Sequence, residues 1–356
     1  MHFLSSVVLP LWVLSCLLAL VVELNGLKLA TRRLMFAGLA AAWIVLTIFR
    51  PWGASPDDWN YVVHLRITYP LDEAEFTNRL GHSPLYYFLL SAVRVLQDGH
   101  WAFFIIAAGA LAIKFFVIGR MMSYNLTSLF AYVSIFWMLH DVVQLRTGVA
   151  AVFLLLALYA WGANRKPWSI SAAVVAPFIH ISGLISLAGV AVQWAFARRY
   201  WLAFVLVVVT QAMAGIGLTP PSSIIGLVGI SNERATSTLE SATDAGGLRL
   251  SYAAIVLMLA FAIPGLEKAK DEKLDLAFFS VVAAFFVYWL TAEVGTVSSR
   301  LLQFLSIPIV LLAPAFRFNA MTYSAFIAIC AAYFYLLGWI NGLMGFGGKW
   351  GAIPLP

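Results

Sequence analysis

Apolar runs alternate with short polar connectors along the whole chain, at about residues 3–22, 34–49, 83–96, 101–119, 126–143, 147–163, 168–197, 201–219, 249–266, 276–292, 301–316 and 320–340. A helix needs roughly 20 residues to cross the hydrocarbon core of a bilayer, fewer where the bilayer thins. The pattern predicts an all-α polytopic membrane protein with about 10–13 transmembrane helices under that length rule. The first run, Phe3 to Val22, has no basic residue before it and no small-residue cleavage site after it, so it reads as a retained helix.

The connectors suggest an orientation. LKLATRR (27–33), NRK (164–166), ARRY (197–200), EKAKDEK (267–273) and RFN (317–319) are basic or mixed and read as cytoplasmic. The stretches near 50–82, 220–248 and 293–300 read as outer loops. Parity does not close, because NRK and ARRY both look cytoplasmic while one run of about 30 residues joins them, longer than a single span requires. That run contains Pro177 and His180-Ile-Ser-Gly183. Two short helices meeting near His180, or a re-entrant turn lining a cavity, would resolve the conflict. The run 83–96 is short and carries Arg94, so it is not expected to span fully.

Composition narrows the class. The 356 residues are 62% hydrophobic and 11% charged, against roughly 25% charged in soluble domains. No polar stretch much exceeds about 30 residues, below the ~50 that a separate domain needs, so a single transmembrane domain over 1–356 is expected. The net charge of +6 sits largely in the connectors, which accounts for it without a nucleic-acid partner. Cys16 and Cys330 lie in apolar runs and form no disulfide framework or metal motif.

Charges that interrupt the apolar pattern are the candidate chemistry. Arg146 and Arg300 each stand where a membrane-length run meets its neighbour. A guanidinium there is costly unless it has an anionic partner or lines a wet cavity, and its planar fork matches phosphate oxygens. Snorkelling to water is the competing reading for both. His140, Gln144 and Gly148 fall on one helical face at i, i+4 and i+8, with Arg146 roughly opposite. All of them reach one pocket only if the helix breaks, which is expected at Arg146-Thr-Gly. Arg300 follows GTVSS, so Ser298 or Ser299 is expected to cap a helix whose N-terminus and Arg300 together favour an anion.

His180 is either a buried histidine held by packing or a neutral base. Asp57 and Asp58 precede Tyr61 in the 50–82 stretch, where aromatic residues interleave with acids. They are either a base for a sugar hydroxyl or a helix N-cap. Glu293 either pairs with an arginine or acts as a base. The sequence carries no metal signature, P-loop, dinucleotide fingerprint or Gly-x-Ser-x-Gly elbow, and no cofactor is expected.

Four elements, in order, resemble the EpsG-type branch of Wzy-like bacterial polysaccharide repeat-unit polymerases. They are Asp57-Asp58-Trp59-Asn60-Tyr61, Arg146-Thr147-Gly148-Val149-Ala150, His180-Ile-Ser182, and Arg300-Leu-Leu-Gln-Phe followed by Pro308. Thr147 stands where the family usually has Gln, and His82-Ser-Pro departs from the family's Glu before Pro or Gly. The resemblance implies a GT-C-like fold in the bacterial inner membrane. It also implies a metal-independent glycosyl transfer at the outer face, between undecaprenyl-diphosphate-linked donor and acceptor glycans. Membrane lipid surrounds such an enzyme, and the resemblance also points to a chain-length regulator as a partner. On this resemblance Arg146 and Arg300 bind diphosphate, and Asp57 or His180 activates the acceptor. Asp58, Tyr61, His140 and Glu293 line the pocket. Another lipid-linked glycosyltransferase or ligase, a membrane acyltransferase and a glycan transporter are the competing readings. The short late loops, the missing early Arg-x-x-Arg and the lack of an internal repeat count against them in turn.

Overall fold

The computed structural model describes residues 7–50, 83–96, 101–218, 220, 246–292 and 295–337, and all regular structure among them is helical. In chain order the helices are α1 (Leu9–Asn25), α2 (Leu29–Ile48), α3 (Pro84–Leu96), α4 (Trp101–Met121) and α5 (Leu126–Tyr132). A π-helix over Val133–Val143 continues α5, and α6 (Leu145–Gly162) and α7 (Lys166–Ile179) follow. A 3₁₀ turn over Ile181–Ile185 leads to α8 (Ala188–Phe196), α9 (Tyr200–Gly215), α10 (Gly246–Ala269), α11 (Glu272–Leu290) and α12 (Gly295–Leu305). A 3₁₀ segment over Ile307–Phe318 and α13 (Ala320–Tyr335) complete the order.

Six of these helical stretches are long and apolar enough to cross a membrane: Leu29–Ile48, Trp101–Met121, Leu126–Val143, Leu145–Gly162, Tyr252–Ala269 and Glu272–Leu290. A seventh is a broken pair, Ser298–Leu305 and Ile307–Phe318, bent by 43°. Four shorter apolar helices accompany them, α3 among them, as its short run predicts. The chain is a polytopic, all-α membrane protein.

Local signals set several helix starts. The Asn125 side chain accepts from Ser128 N–H at 2.9 Å and caps α5. Asp271 caps α11 by accepting from Lys273 N–H, also at 2.9 Å. Pro167 sits in the first turn of α7, where its missing N–H costs nothing. Pro177 then ends α7 within two residues, and His180 is extended at φ −157°, ψ 138°. The break expected near His180 is present: the 14 residues of α7 and the 9 of α8 are separate helices, each short of the roughly 20 needed to span.

The chain forms two compact units, residues 1–184 with 330–356, and residues 185–329. In the first, α2 packs on α4, α4 on α6, and α6 on α7. Two core indoles, Trp43 and Trp137, and the half-buried Trp12 all find hydroxyls for their N–H groups. Trp12 donates to Ser134 at 2.8 Å, Trp43 to Ser15 at 3.0 Å and Trp137 to Thr47 at 2.9 Å. Trp43 and Trp137 also meet edge-on at 4.7 Å. A buried indole N–H without a partner would cost about 1–3 kcal/mol, so these hydroxyls fix how α1, α2 and the π-helix meet.

In the second unit α8, α9 and α12 pack on α11, and α10 packs on the 3₁₀ segment. A Cβ on Gly265 would overlap the Ala315 carbonyl, so glycine permits that close approach. ARRY and EKAKDEK are bound together here. Arg198 Nε donates to Asp275 Oδ2 at 2.6 Å, Arg198 Nη2 to the Lys270 carbonyl at 3.3 Å, and the Tyr200 hydroxyl to Asp275 Oδ1. Two basic connectors tied through one carboxylate lie on one side of the membrane, as the charge pattern requires. Cysteines placed at Arg199 and Lys268, both exposed, are expected to react with an impermeant maleimide from the same side in inverted vesicles and neither in intact cells. Labelling from opposite sides would overturn the arrangement.

Candidate functional site

The chain turns sharply at Gln144. Its backbone leaves helical geometry at φ −102°, ψ 64°, between the π-helix and α6. Gly148, eight residues beyond His140, packs directly on the His140 carbonyl: a Cβ there would overlap that oxygen. A continuous helix would separate residues i and i+8 by about 12 Å along its axis. A break therefore exists, but at Gln144 and not at Arg146-Thr-Gly, and Arg146 and Gly148 both fall within α6. Close contact of Gly148 with backbone, a tertiary feature, selects the position.

Around this turn lies a cluster of charged and polar side chains buried among apolar helices. Lys114 on α4 is fully buried and pairs with Asp141 Oδ1 at 2.6 Å. The Tyr132 hydroxyl donates to Asp141 Oδ2 at 2.6 Å, and the Lys114 ammonium lies 5.6 Å from the Tyr132 ring centroid. His140 is fully buried and stacks edge-on with Phe136 at 5.6 Å, yet neither ring nitrogen has a hydrogen-bond partner among the described residues. The Gln144 side-chain carbonyl oxygen is likewise buried and unpartnered among them. Leaving such groups unpaired costs about 1–3 kcal/mol each, and orphaned buried polar atoms are rare in native structures.

Arg146 lies in the first turn of α6, partly buried, with its guanidinium 5.9 Å from the ring centroid of Tyr86 on α3. Among the described residues no carboxylate pairs with it. At the end of α7, His180 Nδ1 lies 2.8 Å from Ser182 Oγ and 3.3 Å from the Ser182 backbone N–H, which donates to it. His140 is within electrostatic reach of both Lys114 and His180. The first unit thus gathers His140 with Lys114, Asp141 and Tyr132, with His180 within electrostatic reach of His140, while Arg146 stands in the first turn of α6 against Tyr86.

Arg300 belongs to the second unit and is exposed. Its helix α12 begins at Gly295, so Arg300 stands in the second turn and does not open the helix. Ser298 does not cap it either. Its hydroxyl donates to the carbonyl of Thr291, the residue that closes α11 and leaves a carbonyl without an intrahelical partner. The expected union of helix N-terminus and Arg300 is replaced by a serine that ties α12 to the end of α11. Asp57, Asp58, Tyr61 and Glu293 lie outside the described residues. A cavity of about 510 Å³ in the second unit is lined by Gln211, Tyr252, Tyr288 and apolar neighbours. It includes none of the residues that the sequence singles out.

The family model described as EpsG family matches residues 35–349, a span that includes every residue of the Gln144 cluster. The chain belongs to the EpsG family. No curated protein and no solved structure matches it. EpsG-family membership and the helical architecture together make it a multi-pass membrane protein of a family associated with polysaccharide biosynthesis.

Two members of the cluster in this EpsG-family chain are invisible to motif reading. Lys114 interrupts IIAAGALAIKFFVIGRM, and a lone lysine in a membrane-length run is itself a functional signal. Tyr132 carries no such signal, because a tyrosine in an apolar helix is unremarkable until its hydroxyl is seen on Asp141.

Proposed function

We propose that this protein polymerises polysaccharide by joining oligosaccharide repeat units carried on undecaprenyl diphosphate, at the outer face of the bacterial cytoplasmic membrane. The observation that carries the proposal is the turn at Gln144. Among the described residues, it sets a buried histidine with both ring nitrogens unpaired against the first turn of α6, the turn that also carries Arg146, an arginine without a carboxylate partner. Such a place suits a polar, anionic ligand delivered within the membrane.

In the proposed reaction an acceptor sugar hydroxyl attacks the donor's anomeric carbon. The new C–O bond forms as the bond to the diphosphate breaks, and the hydroxyl proton passes to a base. The lipid diphosphate leaves with both electrons of the broken bond. Negative charge grows on that leaving group, so arginine forks aimed at its oxygens lower the barrier. Arg146 and Arg300 take diphosphate oxygens. Donor and acceptor each carry a diphosphate, so the two arginines need not meet on one.

Asp57 is the proposed base. Ser182 N–H donates to His180 Nδ1, which places the proton of a neutral ring on Nε2. A ring protonated at Nε2 and already accepting a hydrogen bond at Nδ1 is a poor acceptor, and a carboxylate is the better acceptor for the hydroxyl proton. Tyr61, Asp58 and Glu293 keep their proposed places in the acceptor pocket.

The test is genetic and chemical together. Deleting the gene in its native host and restoring it is expected to remove and restore the ladder of surface glycan on a gel. A deletion that leaves polymer length intact but strips acyl groups, or that traps lipid-linked units inside the cell, rejects the polymerase and favours an acyltransferase or a transporter.

A further inference from the structure

Lys114 has no role in the mechanism above, yet it is a full charge buried in the middle of a membrane-length helix. An ion pair held only for stability would be a poor device, because desolvating both charges offsets most of their attraction. The position of the pair is informative. A Cβ on Gly148 would lie 3.5 Å from the Lys114 ammonium, so the charge abuts the first turn of α6. That turn receives no side-chain cap from Gln144, and the N-terminus of a helix of 18 residues favours an anion. The second, independent mark is His140, fully buried with two ring nitrogens unpaired among the described residues.

We propose that Lys114 and His140 form a phosphate site at the first turn of α6, the turn that carries Arg146, binding oxygens of a lipid-linked diphosphate together with the N-terminus of that helix. The proposal rests on the lipid-diphosphate reading above and names its buried half. An ammonium has three N–H groups, and Asp141 takes one of them. Asp141 also holds the Tyr132 hydroxyl, so it stays satisfied when Lys114 turns a donor to phosphate. Asp141 balances the charge of Lys114, while Arg146 and the helix end supply the net attraction. Asp141 and Tyr132 are positioning residues; Lys114 and His140 touch the ligand.

Two variants of the purified full-length protein separate this role from a structural one. Lys114→Met/Asp141→Asn replaces the ion pair with neutral groups of similar size, and the new amide still accepts from Tyr132. It is expected to melt within a few degrees of wild type but to bind undecaprenyl diphosphate about tenfold to a hundredfold more weakly, the worth of one charged hydrogen bond. His140→Phe removes two unpaired nitrogens, so it is expected to melt higher while also binding more weakly. A purely structural lysine or histidine cannot give weaker binding with stability unchanged or raised.

Undecaprenol and inorganic pyrophosphate serve as competitors. Competition by pyrophosphate in wild type, reduced in both variants, supports recognition of the diphosphate itself. Undecaprenol competing as well as the diphosphate lipid, with pyrophosphate inert, overturns the site. So does wild-type affinity in either variant. Binding of undecaprenyl diphosphate through these residues by a protein that makes no polymer would sink the polymerase reading and leave the site standing. Wild-type polymer from both variants would sink the site alone.

Discussion

Arg146→Ala is expected to leave single repeat units where wild type gives a glycan ladder, with the protein still present in the membrane at its usual level. Both halves of that result follow from the surroundings of the side chain. Among the described residues its guanidinium makes no ion pair and lies 5.9 Å from the Tyr86 ring centroid, a contact worth about 0.5–2 kcal/mol, so truncation removes little from the fold. Its loss from a charged transition state is larger. Removing a preorganised donor to a developing anion costs about 10²–10³ in rate, enough to abolish a ladder that needs many successive transfers. Arg146→Lys keeps the charge and loses the fork, so it is expected to shorten the ladder without abolishing it. The measurement is the ladder on a gel beside quantitative immunodetection of membranes. A full-length ladder from Arg146→Ala at normal protein level rejects the diphosphate role.

Gly148→Ala has the opposite signature, a loss of structure before any question of chemistry. The added carbon would overlap the His140 carbonyl oxygen and sit 2.8 Å from its carbon. Both are backbone atoms and cannot swing aside, so the turn at Gln144 must open. Overpacking of this kind costs about 1–3 kcal/mol and occasionally more, and the rigidity of the backbone atoms it meets puts this site at the upper end. The same exchange at Gly109 on α4, where nothing lies within 4 Å, is expected to be neutral or to stabilise by up to about 1 kcal/mol through helix propensity. Thermal unfolding of the two purified variants decides the matter. Equal melting temperatures would mean that Gly148 does not pack on His140.

The helices were legible because a spanning segment has only one solution, and a run of about 20 apolar residues announces it. The break at His180 was legible for a similarly local reason, a proline followed by residues that form only a 3₁₀ turn. The turn at Gln144 was anticipated in kind but displaced in position, because a carbonyl eight residues away decides it and no local motif encodes that contact. Lys114 and Asp141 are 27 residues apart, so their pairing is a property of how α4 meets the π-helix. Ser298 shows the same limit on a smaller scale. Its sequence position suits a cap, and the carbonyl left open at the end of α11 claims its hydroxyl first.

The π-helix over Val133–Val143 has a consequence for how the chain tolerates changes of length. Its backbone bonds skip one residue more than those of an α-helix, the state an inserted residue leaves behind. Removing one residue between Tyr132 and His140 would rotate everything before the cut, relative to His140 and Asp141, by about 100°. Tyr132 would then leave Asp141, and Trp137 would leave Thr47 or keep it according to the side of the cut. Substitutions along this segment affect one neighbour at a time, whereas a single deletion uncouples the bundle from its charged cluster at a stroke. The spacing of residues between 132 and 141 is thus as much a part of the site as their identity.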